Sequence, residues 1–235
     1  WRTVTSRTTE LDVLVEPKLD PAGRPKIHDL LEAIRVRPAR KEAFPADWVS
    51  EDSEATVVEF MMENPGPATT KSPRLVELQS PLGAILLNDV AVLRKFSCTL
   101  TVQIDDESWD VRVPTLGAWA IGKALSFGAR RNNAAQQPGP DKRAKDLVYL
   151  RDLIHAGPEV LTQVTNDLKT VASSHSGRAA MRRAISQLTT PHEDMLANAA
   201  LQLSTRDNTP PATARAEITG SERFFIELLS EHPGD

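Results

Sequence analysis

Cysteine is nearly absent from this 235-residue chain. Cys98 is the one thiol, so no intramolecular disulfide can form and a secreted disulfide framework is excluded. No window approaches roughly 18 apolar residues, which removes a membrane-spanning helix of ordinary length. A surplus of one charge is missing too: 28 Lys and Arg against 32 Asp and Glu leave −4. A chain-wide attraction to nucleic acid or to anionic membranes is therefore absent, and such binding would need a local patch. There is no Gly-x-Ser-x-Gly elbow, no P-loop, no dinucleotide fingerprint and no internal repeat. His28, His155, His175, His192 and His232 show no metal-ligand spacing, and with Cys98 they read as structural. A cytoplasmic protein without a membrane partner is the expectation.

What is present is ordinary globular usage, 40% hydrophobic and 26% charged, which excludes wholesale disorder and collagen. At roughly 150 residues per domain the length suits two compact units at most. The chain opens on Trp1 and a polar stretch to Arg7 that is no signal peptide, and further residues are expected upstream. Leu11 to Val15 is a short β-branched run closed by Pro17 and the turn-prone Asp20-Pro21-Ala22-Gly23, the pattern of a buried strand. Ile27, Leu30, Leu31 and Ile34 fall at i, i+3, i+4 and i+7, which predicts a helix over 26–37, ended by Pro38. The run Ala55 to Met62, stopped by Asn64-Pro65-Gly66-Pro67, predicts a second strand. Strand, helix, strand implies a crossover between parallel strands. Short strand or helix pieces follow over 75–78 and 83–93. Residues 97–104 and 109–113 alternate about an acidic turn, which predicts a hairpin with Trp109 in the core.

From Pro114 the period changes to that of a helix, with Trp119 on the core side. Helices are expected over 116–127 and 141–155 with a loop over 132–140 between them. Four more are expected over 158–173, 177–189, 192–204 and 220–231, with 205–213 a proline-bearing linker. The fold class is therefore α/β (α+β), a mixed sheet with flanking helices over 1–115 followed by a helical region over 116–235. A cleft between the halves is the expected ligand site.

The sharpest motif is Arg7-Thr8-Thr9-Glu10-Leu11-Asp12-Val13-Leu14-Val15. Residues i and i+2 of a strand share a face, so Glu10 and Asp12 present two carboxylates side by side. Such a pair repels itself unless a cation lies between them, and hard oxygen ligands suit Mg²⁺ or Mn²⁺. Glu59, set between Val58 and Phe60, needs a partner that compensates its burial, and a shared metal site would supply one.

The acidic run resembles that of the nucleotidyltransferase superfamily, the DNA-polymerase-beta-like fold, where an Asp-x-Asp pair and a third carboxylate bind two metals. The resemblance continues through Val113-Pro114-Thr115, Lys123-Ala124-Leu125, Arg130-Arg131, Lys145-Asp146-Leu147 and Leu150. That order is similar to the second half of small bacterial nucleotidyltransferase-like proteins, including abortive-infection toxins. It covers roughly residues 7 to 155. It implies a metal-dependent transfer of a nucleoside monophosphate from a nucleoside triphosphate (ATP or another NTP) to an acceptor that could be tRNA, a protein or a small molecule. Glu10, Asp12 and Glu59 would be the catalytic and metal-binding residues, with Lys123, Arg130, Arg131, Lys145 and Asp146 at the nucleotide. An antitoxin or further copies of the chain are the implied protein partners.

The chain departs from that pattern in three places. Glu10 and Glu59 stand where the family usually has Asp, Tyr149 stands where a second Asp is expected with Asp152 next along, and no Gly-Ser or Gly-Gly turn precedes the acidic strand. These favour the alternative, a catalytically silent member working as a binding or regulatory module, in a toxin–antitoxin pair for example. A plainer reading of Lys142, Arg143, Lys145 and Asp146 is that they are solvated helix charges.

Overall fold

The computed structural model describes residues 10–15, 26–39, 43–52, 57–64, 74–87, 90–104, 106–132, 140–190 and 193–231. The turn at 20–23, the stretch 65–67, residues 7–9, most of the loop over 132–140, His192 and His232 lie outside them, as do the side chains of Glu10, Arg130, Arg131, Lys142 and Arg143. The described residues fall into two compact units, one ending at Ala91 and the other beginning at Val92.

The first unit is built on one mixed sheet of six strands: β1 (Glu10–Val15), β2 (Val36–Pro38), β3 (Asp47–Ser50), β4 (Val57–Glu63), β5 (Arg74–Gln79) and β6 (Leu82–Leu87). Its axis is β4, whose Val-Val-Glu-Phe-Met-Met run suits a pleated, half-buried surface. β1 lies parallel along one edge of β4, pairing Glu10 with Val57 through to Val15 with Met62. The opposite edge is shared, β3 pairing antiparallel with its first three residues and β6 parallel with its last three. β2 extends β3 and β5 extends β6, both antiparallel. The parallel β1–β4 pair is the expected crossover, with the helix α1 (Ile27–Ala33) and the strands β2 and β3 inside the connection.

Alternation decides which residues form the core. Val15, Trp48, Phe60, Met62, Leu82 and Ala84 share one face, and Leu31 of α1 packs among them. The helix expected over 26–37 is only seven residues long. Arg35 takes a left-handed φ of 60°, its carbonyl accepts from the Glu51 amide at 2.9 Å, and Val36 to Pro38 pair with Trp48 to Ser50. Strand pairing thus captures residues that the apolar spacing assigned to a last helical turn, and Leu30 and Ile34 are left exposed. Leu11, expected inside a buried strand, is exposed near the open end of β1.

The second unit begins with α2 (Ala91–Lys95) and a separate two-stranded ribbon, β7 (Ser97–Ile104) and β8 (Glu107–Pro114), the expected hairpin. Six helices follow: α3 (Leu116–Asn132), α4 (Pro140–His155), α5 (Pro158–Ala172), α6 (His175–Thr189), α7 (Glu193–Asp207) and α8 (Pro211–Ser230). α3 is central, packing on α4, α5 and α6, while α7 and α8 close over α4. Ala118, Ile121, Phe127, Leu150, Leu168, Leu203 and Phe225 lie in one continuous core. Small residues let the helices approach. A Cβ on Gly117 would stand 2.7 Å from the Asp167 Cβ, and the Gly117 amide instead donates to Asp167 Oδ2 at 3.1 Å, so α5 supplies the cap of α3.

Two expectations are corrected here. The linker over 205–213 is mostly helical: α7 runs to Asp207, α8 starts at Pro211, and only Asn208, Thr209 and Pro210 break them. Proline at the first helical position starts a helix as readily as it stops one. Trp109 is 55% exposed rather than in the core, because the ribbon lies outside the cluster that the helices bury.

Candidate functional site

Residues paired across neighbouring strands point to the same face of a sheet. Asp12 pairs with Glu59 on β4, and Glu59 pairs on its other side with Asp47 of β3. Three carboxylates therefore form one row across three adjacent strands, on the face opposite the Trp48, Phe60 and Met62 core. Strands run about 4.8 Å apart, so the outer two backbones of the row stand about 10 Å from each other with Glu59 midway. Glu10 sits two residues before Asp12, paired with Val57 at the next position but one along the sheet.

The members of the row differ in surroundings. Asp12 is exposed, while Glu59 and Asp47 are half-buried. Asp47 Oδ1 is buried and accepts no hydrogen bond from the protein. A buried carboxylate oxygen in that condition calls for a compensating positive charge. The row is thus a fit in donor type for hard divalent cations. Among the described residues, no three His, Cys, Asp or Glu side chains converge closely enough to hold an ion in their present positions. Arg37 of β2 pairs with Val49, which shares the face of Asp47, and so places one cation on the acidic side of the sheet.

Asp47 is absent from the residues singled out by sequence. It lies in a four-residue strand with no long apolar run to announce it, and only its register against β4 brings it beside Glu59. The available signal was the alternation Asp47-Trp48-Val49-Ser50, which buries Trp48 and turns Asp47 outward.

The cations expected at a nucleotide lie in the second unit. Lys123 of α3 is held there by three neighbours. Its Nζ stands 3.9 Å from Asp146 Oδ1 of α4 and lies over the rings of Trp119 and Tyr149 at 5.4 and 5.1 Å. Trp119, Lys123, Asp146 and Tyr149 form one cluster, whose two rings meet at 6.1 Å. Asp146 is fully buried, so it is not the solvated helix charge of the plainer reading. Lys145, its neighbour in α4, is half-buried. Arg130 and Arg131 lie in the last turn of α3.

Asp152 belongs to a second charged network. Arg151 bonds Asp152 at 3.1 Å and Glu217 of α8, and Arg206 of α7 bonds Asp152 at 2.7 Å and Asp207. The Arg206 guanidinium beside Asp207 holds that carboxyl below the usual range. In turn Asp152 and Asp207 keep the Arg206 proton more tightly bound than usual. The network ties α4, α7 and α8 together.

Comparison with protein-family models, with curated proteins and with solved structures finds no match to this chain. Among the described residues, no helix is long and apolar enough to cross a membrane.

Proposed function

We propose that this protein is a metal-dependent nucleotidyltransferase, moving a nucleoside monophosphate from a nucleoside triphosphate to an acceptor hydroxyl. The observation that carries the reading is the register that sets Asp12, Glu59 and Asp47 in one row, with the buried Asp47 Oδ1 lacking a hydrogen-bond partner. A row of oxygen donors on a rigid sheet supplies the ligand type that hard divalent cations take. Magnesium or manganese held there would neutralise charge on the attacked and leaving oxygens.

In this reading Glu10, Asp12 and Glu59 are the catalytic carboxylates and Asp47 extends the set. The acceptor oxygen bonds to the α-phosphorus, the bond to pyrophosphate breaks, and the hydroxyl proton passes to a carboxylate of the row. A role for Lys123, Arg130, Arg131, Lys145 and Asp146 at the nucleotide rests on the sequence resemblance alone. Arg37, on the acidic face itself, is a further candidate for a phosphate oxygen.

The test measures transfer of label from radioactive nucleoside triphosphates into cell extract with Mg²⁺ or Mn²⁺, together with thermal melting in both metals. Incorporation that Asp12→Ala abolishes, and a melting temperature raised by metal in wild type only, support the reading. No incorporation from any triphosphate and no metal-dependent shift reject it in favour of the catalytically silent module.

A further inference from the structure

Acidic residues are missing from two stretches of the second unit. Residues 90–104 contain Arg94 and Lys95 and no Asp or Glu, and residues 168–192 contain Lys169, Arg178, Arg182 and Arg183 and again none. The fold joins the two: Lys95 Nζ, at the end of α2, donates to Ser176 Oγ in the first turn of α6 at 2.8 Å. α6 turns Gly177, Ala180, Met181, Ala184 and Leu188 into the core, so its solvent side carries His175, Arg178, Arg182 and Arg183 and not one carboxylate.

The helices packed against α6 leave that charge standing. α3 contains no acidic residue. On α5, Asp167 is buried and accepts from the Gly117 amide and from Gln163. On α8, Glu217 holds Arg151 and Glu222 is buried. Arg178 donates to the Ala172 carbonyl at 2.9 Å, which ties it to the end of α5 without neutralising the guanidinium. The hydroxyl that Lys95 meets is equally neutral. Arg182, and Lys169 in the last turn of α5, are exposed. Among the described residues none of Lys95, Lys169, Arg178 and Arg182 forms an ion pair with a carboxylate.

We propose that the outer face of α6, flanked by Lys95 and Lys169, binds the phosphodiester backbone of a nucleic acid. A chain of net charge −4 holds a polyanion only through such a local patch. The make-up of the face chooses among polyanions. Guanidinium forks at 178 and 182 match phosphate oxygens bidentately. No large hydrophobic residue of α6 is exposed, so the helix lacks the apolar side by which a basic helix enters a membrane surface. Ala179 and Ser186, between the cations, are too short to read base edges, which makes the binding independent of sequence. The site lies within the second unit and does not rest on the acidic row of the sheet.

Four cations meeting four phosphates of a single strand predict that log K falls with log salt with a slope of about −3, at about −0.7 per contact. Fluorescence anisotropy of a labelled oligouridylate of about twenty nucleotides, titrated with the full chain from about 20 to 200 mM salt, measures it. Arg182→Gln, at an exposed position, is expected to keep its circular dichroism, to weaken binding several-fold at the lowest salt and to make the slope shallower by about 0.7. Lys95→Gln with Arg182→Gln should double that change in slope, whereas Arg215→Gln, whose cation already pairs with Glu193, should bind as wild type does. No binding at the lowest salt, or binding that Arg182→Gln and the double variant leave unchanged, overturns the proposal. So does binding of polyglutamate or of phosphatidylserine vesicles at least as tight as that of the oligonucleotide, since the face would then serve an acidic protein or a membrane.

Discussion

Replacing Lys123 by Met separates a structural cation from a ligand-binding one. The ammonium stands 3.9 Å from a carboxylate with no solvent exposure, while the lysine side chain is itself 20% exposed. At an effective dielectric constant of about 20, two unit charges at that distance attract by about 4 kcal/mol. Water reaching the exposed fifth of the lysine screens part of this, leaving about 2 kcal/mol. The two ring faces add about 0.5–1 kcal/mol between them at partly exposed positions. Lys123→Met keeps the apolar stem and is expected to destabilise the protein by about 3 kcal/mol, near the range for breaking a buried pair by removing one partner. Asp146→Asn in the Lys123→Met background removes the uncompensated charge, so the double variant should be more stable than Lys123→Met alone. Urea unfolding followed by circular dichroism gives all four corners of this cycle, and the coupling energy is expected at about 2 kcal/mol. A Lys123→Met variant within about 0.5 kcal/mol of wild type, or a coupling that small, would refute the argument and return Lys123 to a purely ligand-directed role.

Asp12→Ala should lower nucleotide transfer by about a hundredfold to a thousandfold or more while leaving metal-free melting unchanged or slightly raised, since one of several like charges is removed; activity that persists in a variant that melts lower would make Asp12 structural. Asp207, its carboxyl held low chiefly by Arg206, contributes stability that is present above the ordinary carboxylate range near about 4 and is lost as pH falls through its lower folded value. Urea midpoints between neutral and strongly acidic pH should therefore fall less steeply in Arg206→Gln, and an unchanged acid slope would contradict the assignment. Gly117→Ala places a methyl 2.7 Å from the Asp167 Cβ and 3.0 Å from the Leu168 backbone nitrogen. It should cost about 1–3 kcal/mol, read as a lower melting temperature, and a melting temperature equal to wild type would show that α3 and α5 can part without loss.

Much of the secondary structure was legible because its signals are local. The hairpin at 97–114 announced itself by alternation on both sides of an acidic turn, and α4, α5 and α6 by apolar stripes between Gly, Ser and Pro breaks. Errors arose where one local signal had two meanings. Pro210 and Pro211 read as a linker although proline suits the first turn of α8. Trp109 read as core because alternation fixes only which face a side chain takes, and whether anything covers that face is decided by tertiary packing.

The acidic site divides along the same physical line. Glu10 and Asp12 are two residues apart on one strand, so their relation follows from the pleat alone, and Glu59 stood out as a carboxylate inside an apolar run. Asp47 carries no such mark, because its place beside Glu59 follows from an antiparallel register formed across residues 50 to 57. Lys123 and Asp146 illustrate the reverse case. Each was legible as a charge worth attention, but their separation of 23 positions gives no hint that α3 and α4 bring them together between Trp119 and Tyr149. A charge committed to a buried partner is a weaker phosphate ligand than a solvated one, because binding an anion must compete with the existing pair. That argument takes weight from Lys123, whereas register places Arg37 on the acidic face of the sheet itself, beside the strand that carries Asp47. If phosphate oxygens are held at that face, Arg37→Ala should weaken triphosphate binding more than Lys123→Arg, which keeps the charge beside Asp146. Calorimetric titration of both variants with a nucleoside triphosphate and Mg²⁺ measures the difference, and the opposite ranking would place the phosphate contact back on α3.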